Sequence, residues 1–319
     1  MKTANINIKN SNVKKKNKFI TYIKKNYILL LLLLPGFLSL VLFKIGPLFG
    51  MVIAFQDFSA FKGVFGSDFV GLKYFQRILT DPYMVTLIKN TLILAGLTLA
   101  ITFPIPIIFA LFLNEIRLKK VKNFIQSLSF LPYFISASVM VSIMYMILSP
   151  TSGIINDLIK AFGGDSVSFM SEAGWFRPIY IILQIWQTLG YNMVIYMAAI
   201  TGIDSTLYEA ASVDGANRWQ TMFKVTLPCI SSSVIVMFII SIGNIFTVDL
   251  DRLLLMYNSS VYETADVIQT YVYRIAFAST GMPEYSYGTA VNLIKSIIAF
   301  ALVIFANKMA KKYSDTRVF

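Results

Sequence analysis

The sequence predicts an all-α membrane protein that crosses the bilayer six times. Hydrophobic residues make up 56% of its 319 residues and charged residues only 14%, well below the charged share of soluble domains. A soluble fold of this length would leave large apolar patches in water. Six apolar stretches are each long enough to cross a hydrocarbon core of about 30 Å. Helices are expected because a segment in lipid must satisfy its backbone hydrogen bonds internally.

The six predicted spans are separated by more polar segments. Lys44, Gly46 and Pro47 interrupt the first span, which is therefore expected to kink or to end at the interface. The second span contains Pro104 and Pro106 and is expected to bend. The apolar run of the first span is longer than that of a signal peptide, and no cleavage-site pattern follows it. The spans cover residues 27–54, 85–113, 125–148, 177–201, 229–247 and 287–307.

Basic residues are distributed unevenly between alternating loops, and this predicts the orientation of the chain. One set of loops, formed by residues 1–26, 114–124, 202–228 and 308–319, holds 18 Lys and Arg. The other set, formed by residues 55–84, 149–176 and 248–286, holds 6. Because cytoplasmic loops are enriched in basic residues, both termini are expected in the cytoplasm. Residues 1–26 then form a cytoplasmic basic tail, and the net charge of +12 reports topology rather than a nucleic-acid surface.

The residue inventory argues against an enzyme and against a metal site. The chain has no histidine, which removes the commonest metal ligand and proton shuttle. Its single cysteine, Cys229, cannot form an intrachain disulfide. No span carries paired carboxylates, so intramembrane catalysis is not expected. A secondary transporter or channel is a further alternative, but no acid lies well inside a span to couple ions.

The most informative segment is the predicted cytoplasmic loop between the fourth and fifth spans. It is typical of a short helix, a glycine break and a second amphipathic helix that ends at a proline. Leu207, Ala210 and Ala211 share one face of the first helix, where small side chains would let another surface approach closely. Gly215 can adopt the left-handed conformation that closes a helix. The loop therefore predicts a docking surface, with an interfacial helix pair that has no partner as the alternative.

This loop resembles the EAA loop of binding-protein-dependent ABC permeases. The spacing from the glutamate to the proline matches through Glu209-Ala210-Ala211, Asp214-Gly215-Ala216, Phe223 and Leu227-Pro228. Over residues 27–319 the chain also resembles the carbohydrate branch, the oligosaccharide and polysaccharide permeases of the maltose-permease superfamily. The motifs of that branch are Phe43-Lys44-Ile45-Gly46-Pro47, Ile53-Ala54-Phe55, Asn90-Thr91-Leu92, Ala110-Leu111-Phe112-Leu113-Asn114-Glu115 and Phe130-Leu131-Pro132-Tyr133-Phe134-Ile135-Ser136. One departure is Val248-Asp249-Leu250-Asp251-Arg252, where the family has a glycine and a phenylalanine before the acid.

The resemblance implies the type I ABC importer permease fold and a multi-pass subunit of a bacterial cytoplasmic membrane. No phosphate-binding G-x-x-x-x-G-K-[ST] motif occurs in the chain, so ATP and Mg²⁺ are expected on an ABC ATPase dimer and no cofactor is expected on this chain. The other implied partners are a second permease subunit, an extracytoplasmic solute-binding protein, lipid and a carbohydrate, with no nucleic acid. The second permease is expected to be non-identical, although a homodimer stays open. An importer of amino acids, peptides or metals is the alternative, because the EAA loop is common to all of them.

For the EAA loop, the resemblance implies that its first helix sits in a surface cleft of the ATPase. Glu209 is expected to pair with a basic group there. Closure of the ATPase on ATP would then move the helix as a rigid lever and rock the spans between inward-open and outward-open states. The residues expected at this contact are Leu207, Glu209, Ala210, Ala211, Asp214, Gly215, Phe223 and Pro228.

Polar side chains inside the spans predict a path for the substrate. Span four places Gln184, Gln187 and Tyr191 on one helical face, which would offer a sugar both hydrogen-bonding groups and aromatic surface. Lys295 is the one basic residue near the middle of a span, and such a residue is functional by default unless it snorkels to the interface. Hydrogen bonding between helices is the alternative role for the polar residues. The remaining candidates are Trp186, Asn192, Ser241, Asn244 and Asn292.

Overall fold

The structure, a computed structural model, describes residues 25–247, 249–278 and 281–313 of the chain. Most of the predicted cytoplasmic tail, residues 1–24, therefore lies outside the described residues. The same holds for Val248, the first residue of the motif 248–252 that differs from the family pattern. The chain divides into two compact units, Met1–Val52 and Ile53–Phe319. The described residues are mainly helical, which confirms the predicted class.

The first unit contains the apolar helix α1, Tyr27–Leu40. A π-helical turn, Val41–Ile45, follows, and a 3-10 helix, Gly46–Phe55, continues past the end of the unit. None of the side chains of α1 is buried within the chain, as expected for a helix surrounded by lipid. The predicted interruption is seen as this change of helix type, because Pro47 has no N–H for an α-helical ladder.

The second unit begins with two short antiparallel strands, β1 at Gln56–Asp57 and β2 at Asp68–Phe69, in which Gln56 pairs with Phe69. A 3-10 helix, Ser259–Val261, and a π-helical turn, Met222–Thr226, interrupt the α-helices. The α-helices are α2 Gly63–Gly66, α3 Lys73–Thr80, α4 Pro82–Thr102, α5 Pro104–Asn114, α6 Lys119–Phe130, α7 Ala137–Ile147, α8 Ile154–Ala161, α9 Ala173–Thr201, α10 Ser205–Val213, α11 Arg218–Thr221, α12 Leu227–Cys229, α13 Ser231–Gly243, α14 Leu250–Met256, α15 Tyr262–Ala265, α16 Ile268–Phe277 and α17 Tyr285–Tyr313.

Polar caps and prolines set the ends of several helices. The Asp81 side chain accepts a backbone N–H from the first turn of α4 at 2.9 Å, and Pro82 follows it at a position that needs no N–H partner. Pro104 begins α5 in the same way. The prolines that were expected to bend the second span therefore divide it at Phe103, while α4 and α5 together form one 33-residue span, Pro82–Asn114.

The third predicted span, 125–148, is sharply bent in the structure. Its two halves, α6 and α7, meet at an angle of 102°, with the 3-10 turn Leu131–Phe134 between them. Pro132 cannot donate to the helical ladder, and the Ser136 side chain restarts the helix by capping α7. We call residues Phe130–Ser136 the elbow.

Three helical stretches of the described chain are long and apolar enough to cross a membrane: Tyr27–Phe55, Pro82–Asn114 and Tyr285–Met309. The number rises to five if two bent pairs each form one span, α6 with α7, and Arg218–Cys229 with α13, which is bent by 63°. Helix α9 is long enough, with 29 residues, but its glutamines and its asparagine make it less apolar than these. Six spans therefore stay a prediction.

Helix α9 lies at the centre of the second unit. Its first half, from Phe176 to Leu183, belongs to one core cluster together with residues of α7 and α14. Its second half, from Met193 to Ile200, belongs to another cluster with α5. A third cluster joins α3 and α4 to α16 and α17. A helix packed on several sides can carry polar residues without exposing them to lipid, and this places the polar stripe of α9 inside the bundle.

Candidate functional site

A cavity of about 860 Å³ lies beside α9, within the second unit. Its walls come from α4, α5, the elbow, α9 and α13, and from Asn244, Ile245, Thr247, Asp249 and Arg252. This volume is in the range of small-molecule binding sites. The predicted path residues that line it are Gln184, Gln187, Tyr191, Asn192, Ser241 and Asn244.

The polar residues of α9 face the cavity because they recur every three or four positions. Gln184, Gln187, Thr188 and Tyr191 all line it. The Gln187 side-chain amide donates to the carbonyl oxygen of Ile135 in the elbow at 3.0 Å. The same side chains therefore line the cavity and hold two elements together, so the two roles predicted for them, substrate path and helix–helix hydrogen bonding, coexist in one stripe.

Aromatic rings form one wall of the cavity. Tyr133 of the elbow stacks on Tyr191 of α9, with ring centroids 4.3 Å apart and planes inclined by 7°. Phe130 also stacks on Tyr191, at 6.3 Å. The elbow can approach α9 this closely because Gly190 has no side chain, and a Cβ there would overlap the backbone of Ser129. A flat aromatic surface beside amide groups suits the C–H faces and hydroxyl groups of a sugar.

Arg252 is a cavity residue that sequence reasoning missed. It lies on α14, lines the cavity and is only 1% exposed. Its guanidinium donates to the side-chain oxygens of Gln184 and Gln187. It also pairs with Asp249, Nη2 to Oδ2, at 3.0 Å, and lies 5.5 Å from the centre of the Tyr180 ring. The signal in the sequence was that the arginine directly precedes the apolar run Leu253–Met256. Packing of that run against the core buries the arginine with it.

Three predicted path residues do not line the cavity. Trp186 lies on another face of α9, since it is two residues from Gln184 and one from Gln187, and it is 41% exposed. Asn292 and Lys295 lie on α17, which does not reach the cavity. Lys295 instead borders a separate apolar pocket of about 100 Å³ between α17, α4 and α16.

The segment 202–228 contains the predicted first helix, glycine break and second helix, but the second helical stretch continues through Pro228 to Cys229 instead of ending at the proline. Asp204 caps α10 by accepting the backbone N–H of Thr206 at 3.0 Å, and this contact holds the pKa of the exposed Asp204 carboxyl below its ordinary value. Gly215 adopts φ of +72°. The N–H of Gly215 bonds to Ser212 and that of Ala216 to Ala211, at 3.1 and 2.9 Å, which is the Schellman arrangement.

The second half of this segment is fixed by caps and by one buried residue. Asn217 and Gln220 form a reciprocal capping box at the start of α11. Met222 is buried in the cluster with α5, whereas Trp219 and Phe223 stack on each other at 6.2 Å and remain more than half exposed. An aromatic pair thus lies on the surface beside α10.

Seven of the eight predicted contact residues are exposed and one is not. Ala211 is buried, with 9% exposure, so the close-packing role expected of it is directed into the chain rather than toward a partner. Glu209 has no hydrogen-bond or ion-pair partner within the described chain. The exposed residues are Leu207, Glu209, Ala210, Asp214, Gly215, Phe223 and Pro228.

A second charged cluster lies away from the cavity. The buried carboxylate of Asp266 accepts hydrogen bonds from Tyr257 and Arg274, at 2.9 and 2.8 Å. Burial alone would lower the pKa of Arg274, but the pair with Asp266 more than offsets this and raises it. The Asn90 side chain of α4 donates to the Asp266 carbonyl at 3.0 Å. These groups satisfy one another, so we assign them a structural role.

Comparison with known proteins gives consistent matches. The family model described as "Binding-protein-dependent transport system inner membrane component" matches residues 102–312. The polygalacturonan/rhamnogalacturonan transport system permease protein YteP of Bacillus subtilis is similar at 42% identity, over 96% of this chain and 94% of that protein. Protein LplB of the same organism is 39% identical over 93% and 92% of the two chains.

Solved structures give the same result. A chain of a bacterial ABC transporter involved in the import of the acidic polysaccharide alginate superposes with a TM-score of 0.85 at 35% identity, over 92% of this chain and 99% of that chain. A chain of a bacterial alginate ABC transporter in complex with an alginate pentasaccharide-bound periplasmic protein gives a TM-score of 0.86, over 94% and 100% of the two chains.

Proposed function

The chain belongs to the family of binding-protein-dependent transport system inner membrane components, and from this premise we propose that it is the permease subunit of an ATP-driven importer that moves an oligosaccharide across the cell membrane by alternating access. The observation that carries the proposal is the cavity beside α9, lined by amide side chains and stacked tyrosines. Relatives named for their cargo carry saccharides. The alternative of an amino-acid or peptide permease has no such support.

The cavity is the proposed substrate path. Gln184, Asn192, Ser241 and Asn244 supply donors and acceptors for sugar hydroxyl groups. The stacked Tyr133 and Tyr191 supply a flat apolar surface on which the C–H face of a sugar ring can pack. An oligosaccharide unit therefore finds both kinds of contact in one space, and alternating access requires only that the space open to one side of the membrane at a time.

The segment 202–228 is the proposed contact with the ATPase. An exposed helix, α10, closed by a Schellman turn and followed by a capped second helix, has the rigidity that a lever needs. Glu209 has no partner within the described chain, and we propose that it pairs with a basic group of the ATPase. That partner then binds ATP with Mg²⁺ and hydrolyses the ATP, and the movement of its cleft displaces α10.

The topology and the remaining partners are proposed on the same premise. The proposed six spans within a transmembrane domain at 27–319 rest on the apolar stretches of the sequence. The cytoplasmic termini and the basic tail at residues 1–26 rest on the distribution of Lys and Arg. A similar transporter has been seen with a pentasaccharide-bound periplasmic protein, and we propose that a solute-binding protein delivers the substrate here. We also propose a second, non-identical permease subunit, which the resemblance to the carbohydrate branch implies.

Replacing Gly215 by alanine tests the proposed lever. The left-handed φ of +72° disfavours a Cβ by about 1–2 kcal/mol, which corresponds to about tenfold or more in an equilibrium. We expect ATP-dependent uptake by the reconstituted importer to fall by about tenfold while the complex still assembles. Glu209→Gln is expected to reduce uptake as well, through loss of the ion pair.

Gly163→Ala is the matched control. Gly163 has a similar φ of +84° and, like Gly215, open space within 4 Å of the point that a Cβ would occupy, but it lies between α8 and α9, away from the segment 202–228. The same strain there should leave uptake unchanged. Full uptake in both Gly215→Ala and Glu209→Gln would contradict the proposed coupling.

A further inference from the structure

The guanidinium of Arg252 is incompletely satisfied in its buried setting. Nη1 donates to Gln184, and Nη2 donates to Gln187 and Asp249. The Nε atom is buried and has no hydrogen-bond partner. An unpaired donor of a charged group inside a protein costs free energy, so the site would gain by receiving an additional acceptor.

Asp249 does not supply that acceptor, because its two oxygens contact other groups and neither bonds to Nε. Oδ2 contacts Nη2 of Arg252 at 3.0 Å, while Oδ1 accepts the backbone N–H of Arg252 at 3.2 Å and thereby caps α14. The resulting ion pair is one-pronged. An arginine and a free carboxylate normally form two parallel hydrogen bonds, which is the stronger and more specific arrangement.

The two ends of this ion pair differ in burial and in attachment. The Arg252 side chain is 1% exposed, whereas that of Asp249 is 35% exposed, and both line the cavity. The amides of Gln184 and Gln187 hold the guanidinium from the side of α9, and Ile135 of the elbow in turn holds the amide of Gln187 at 3.0 Å. The arginine is therefore fixed, and the aspartate is the exchangeable partner.

We propose that Arg252 is a carboxylate-recognition site of the cavity and that the transported saccharide carries a carboxylate. In this exchange the substrate carboxylate replaces Asp249 on the Nη2 and Nε edge of Arg252, and Asp249 keeps its helix-capping contact through Oδ1. No covalent step is involved. The inference rests on the proposed function and deepens it, since it assigns a uronate-type sugar rather than a neutral one to the same cavity.

The test compares two sugars of equal length that differ only in the carboxylate: α-1,4-linked trigalacturonate and neutral α-1,4-linked galactotriose. Binding of each radiolabelled sugar to the whole importer complex in lipid nanodiscs is measured by equilibrium dialysis. The unmodified complex should bind trigalacturonate more tightly. Arg252→Gln should weaken trigalacturonate binding by about tenfold more than it weakens galactotriose binding, the value of a charge-assisted pair.

Two further variants keep the test decisive. Arg252→Lys retains the positive charge but lacks the planar pair of donors that binds a carboxylate, so it should lose part of the preference for trigalacturonate. This variant replaces Arg252→Gln if the latter does not assemble. Asp249→Asn removes the competing carboxylate and should tighten trigalacturonate binding with no gain for galactotriose. If Arg252 had a purely structural role, its replacement would change the binding affinities for both sugars by the same factor.

The outcomes separate this inference from the proposed function. Equal binding of the two sugars by the unmodified complex, or an equal loss of both in Arg252→Gln, overturns the carboxylate site and leaves the oligosaccharide path standing. If neither sugar binds to the unmodified complex, the carboxylate site is again overturned, whereas the oligosaccharide path is tested independently by the effect of Tyr191→Ala on uptake.

Discussion

The segment 202–228 and the wall of the cavity are built in opposite ways. Apart from Met222, which packs in the cluster with α5, the segment is shaped by contacts between near neighbours, such as Ala216 with Ala211 and Asn217 with Gln220. Most of its candidate residues are exposed. The cavity wall is held by contacts between residues 52 to 68 positions apart, which join the elbow and α14 to α9. A surface for a partner can be encoded locally, whereas a cavity needs elements brought together from distant parts of the chain.

This difference in construction should appear in the effects of mutation. Changes in the cavity wall are expected to alter folding or substrate binding, because the residues there are packed and shared between elements. Changes in the segment 202–228 are expected to leave the fold intact and to act through the partner. The predictions below test this contrast, beginning with the largest effect.

The largest effect is expected from Gly190→Ala at the contact between α9 and the elbow. A Cβ at Gly190 would overlap the backbone of Ser129 and Phe130, and backbone cannot move aside as a flexible side chain can. Overpacking of this kind costs about 3 kcal/mol. We expect a loss of folded protein, measured as the yield of monodisperse complex and as its thermal midpoint in detergent.

Gly96→Ala is the control for that substitution. Gly96 lies within α4 and has no atom within 4 Å of a Cβ position, so alanine there should be neutral or stabilise the helix by up to about 1 kcal/mol. A Gly190→Ala protein as stable as Gly96→Ala would mean that the elbow does not press on α9, and the contrast drawn here would fail.

An intermediate effect is expected from Tyr191→Ala in the cavity. The variant removes a ring that stacks on Tyr133 at 4.3 Å, and such pairs contribute about 0.5–1.5 kcal/mol beyond their buried area. We expect the half-saturating substrate concentration for uptake to rise by about tenfold with the complex intact. Tyr191→Phe keeps the ring and should retain most of the affinity.

Trp186→Ala serves as the comparison on the same helix. Trp186 is also a large aromatic residue of α9, but it does not line the cavity and is 41% exposed. Its replacement should leave the half-saturating concentration unchanged. A larger change in Trp186→Ala than in Tyr191→Ala would place the substrate elsewhere and would restore the role that the sequence suggested for Trp186.

The sequence predicted the first helix of the segment 202–228 and its end at Gly215, because a left-handed glycine is a local signal. The aspartate cap and the amide capping box were not predicted, although they too are defined by residues within five positions. The exception is Ala211, whose burial depends on the packing of α10 against the rest of the chain. Helical periodicity is the same whether a small residue faces a partner or its own core.

The cavity was predicted only in part, because periodicity identifies a polar face but not the elements opposite it. The stripe from Gln184 to Tyr191 follows from spacing alone. The 102° bend at the elbow and the arrival of Arg252 beside Gln184 and Gln187 depend on tertiary packing, which no single span reveals. For the same reason Lys295 was assigned to the path, although α17 faces a different pocket.

The smallest effect is expected at Asp204, the exposed cap of α10. The backbone N–H of Thr206 lowers the pKa of Asp204 below its ordinary value of 3.8, so the capping contribution is present above that pH and is lost as the pH falls through the lower folded value. Asp204→Ala should raise hydrogen exchange in residues 205–213 at neutral pH with no change in the thermal midpoint. Asp204→Asn keeps an acceptor oxygen and should retain protection, including in acid, where the unmodified protein loses it.

The contrary outcome would be that Asp204→Ala lowers the thermal midpoint of the whole complex, as Gly190→Ala is expected to do. The segment 202–228 would then be part of the cooperative core, because only a locally held element can loosen without affecting the cavity wall.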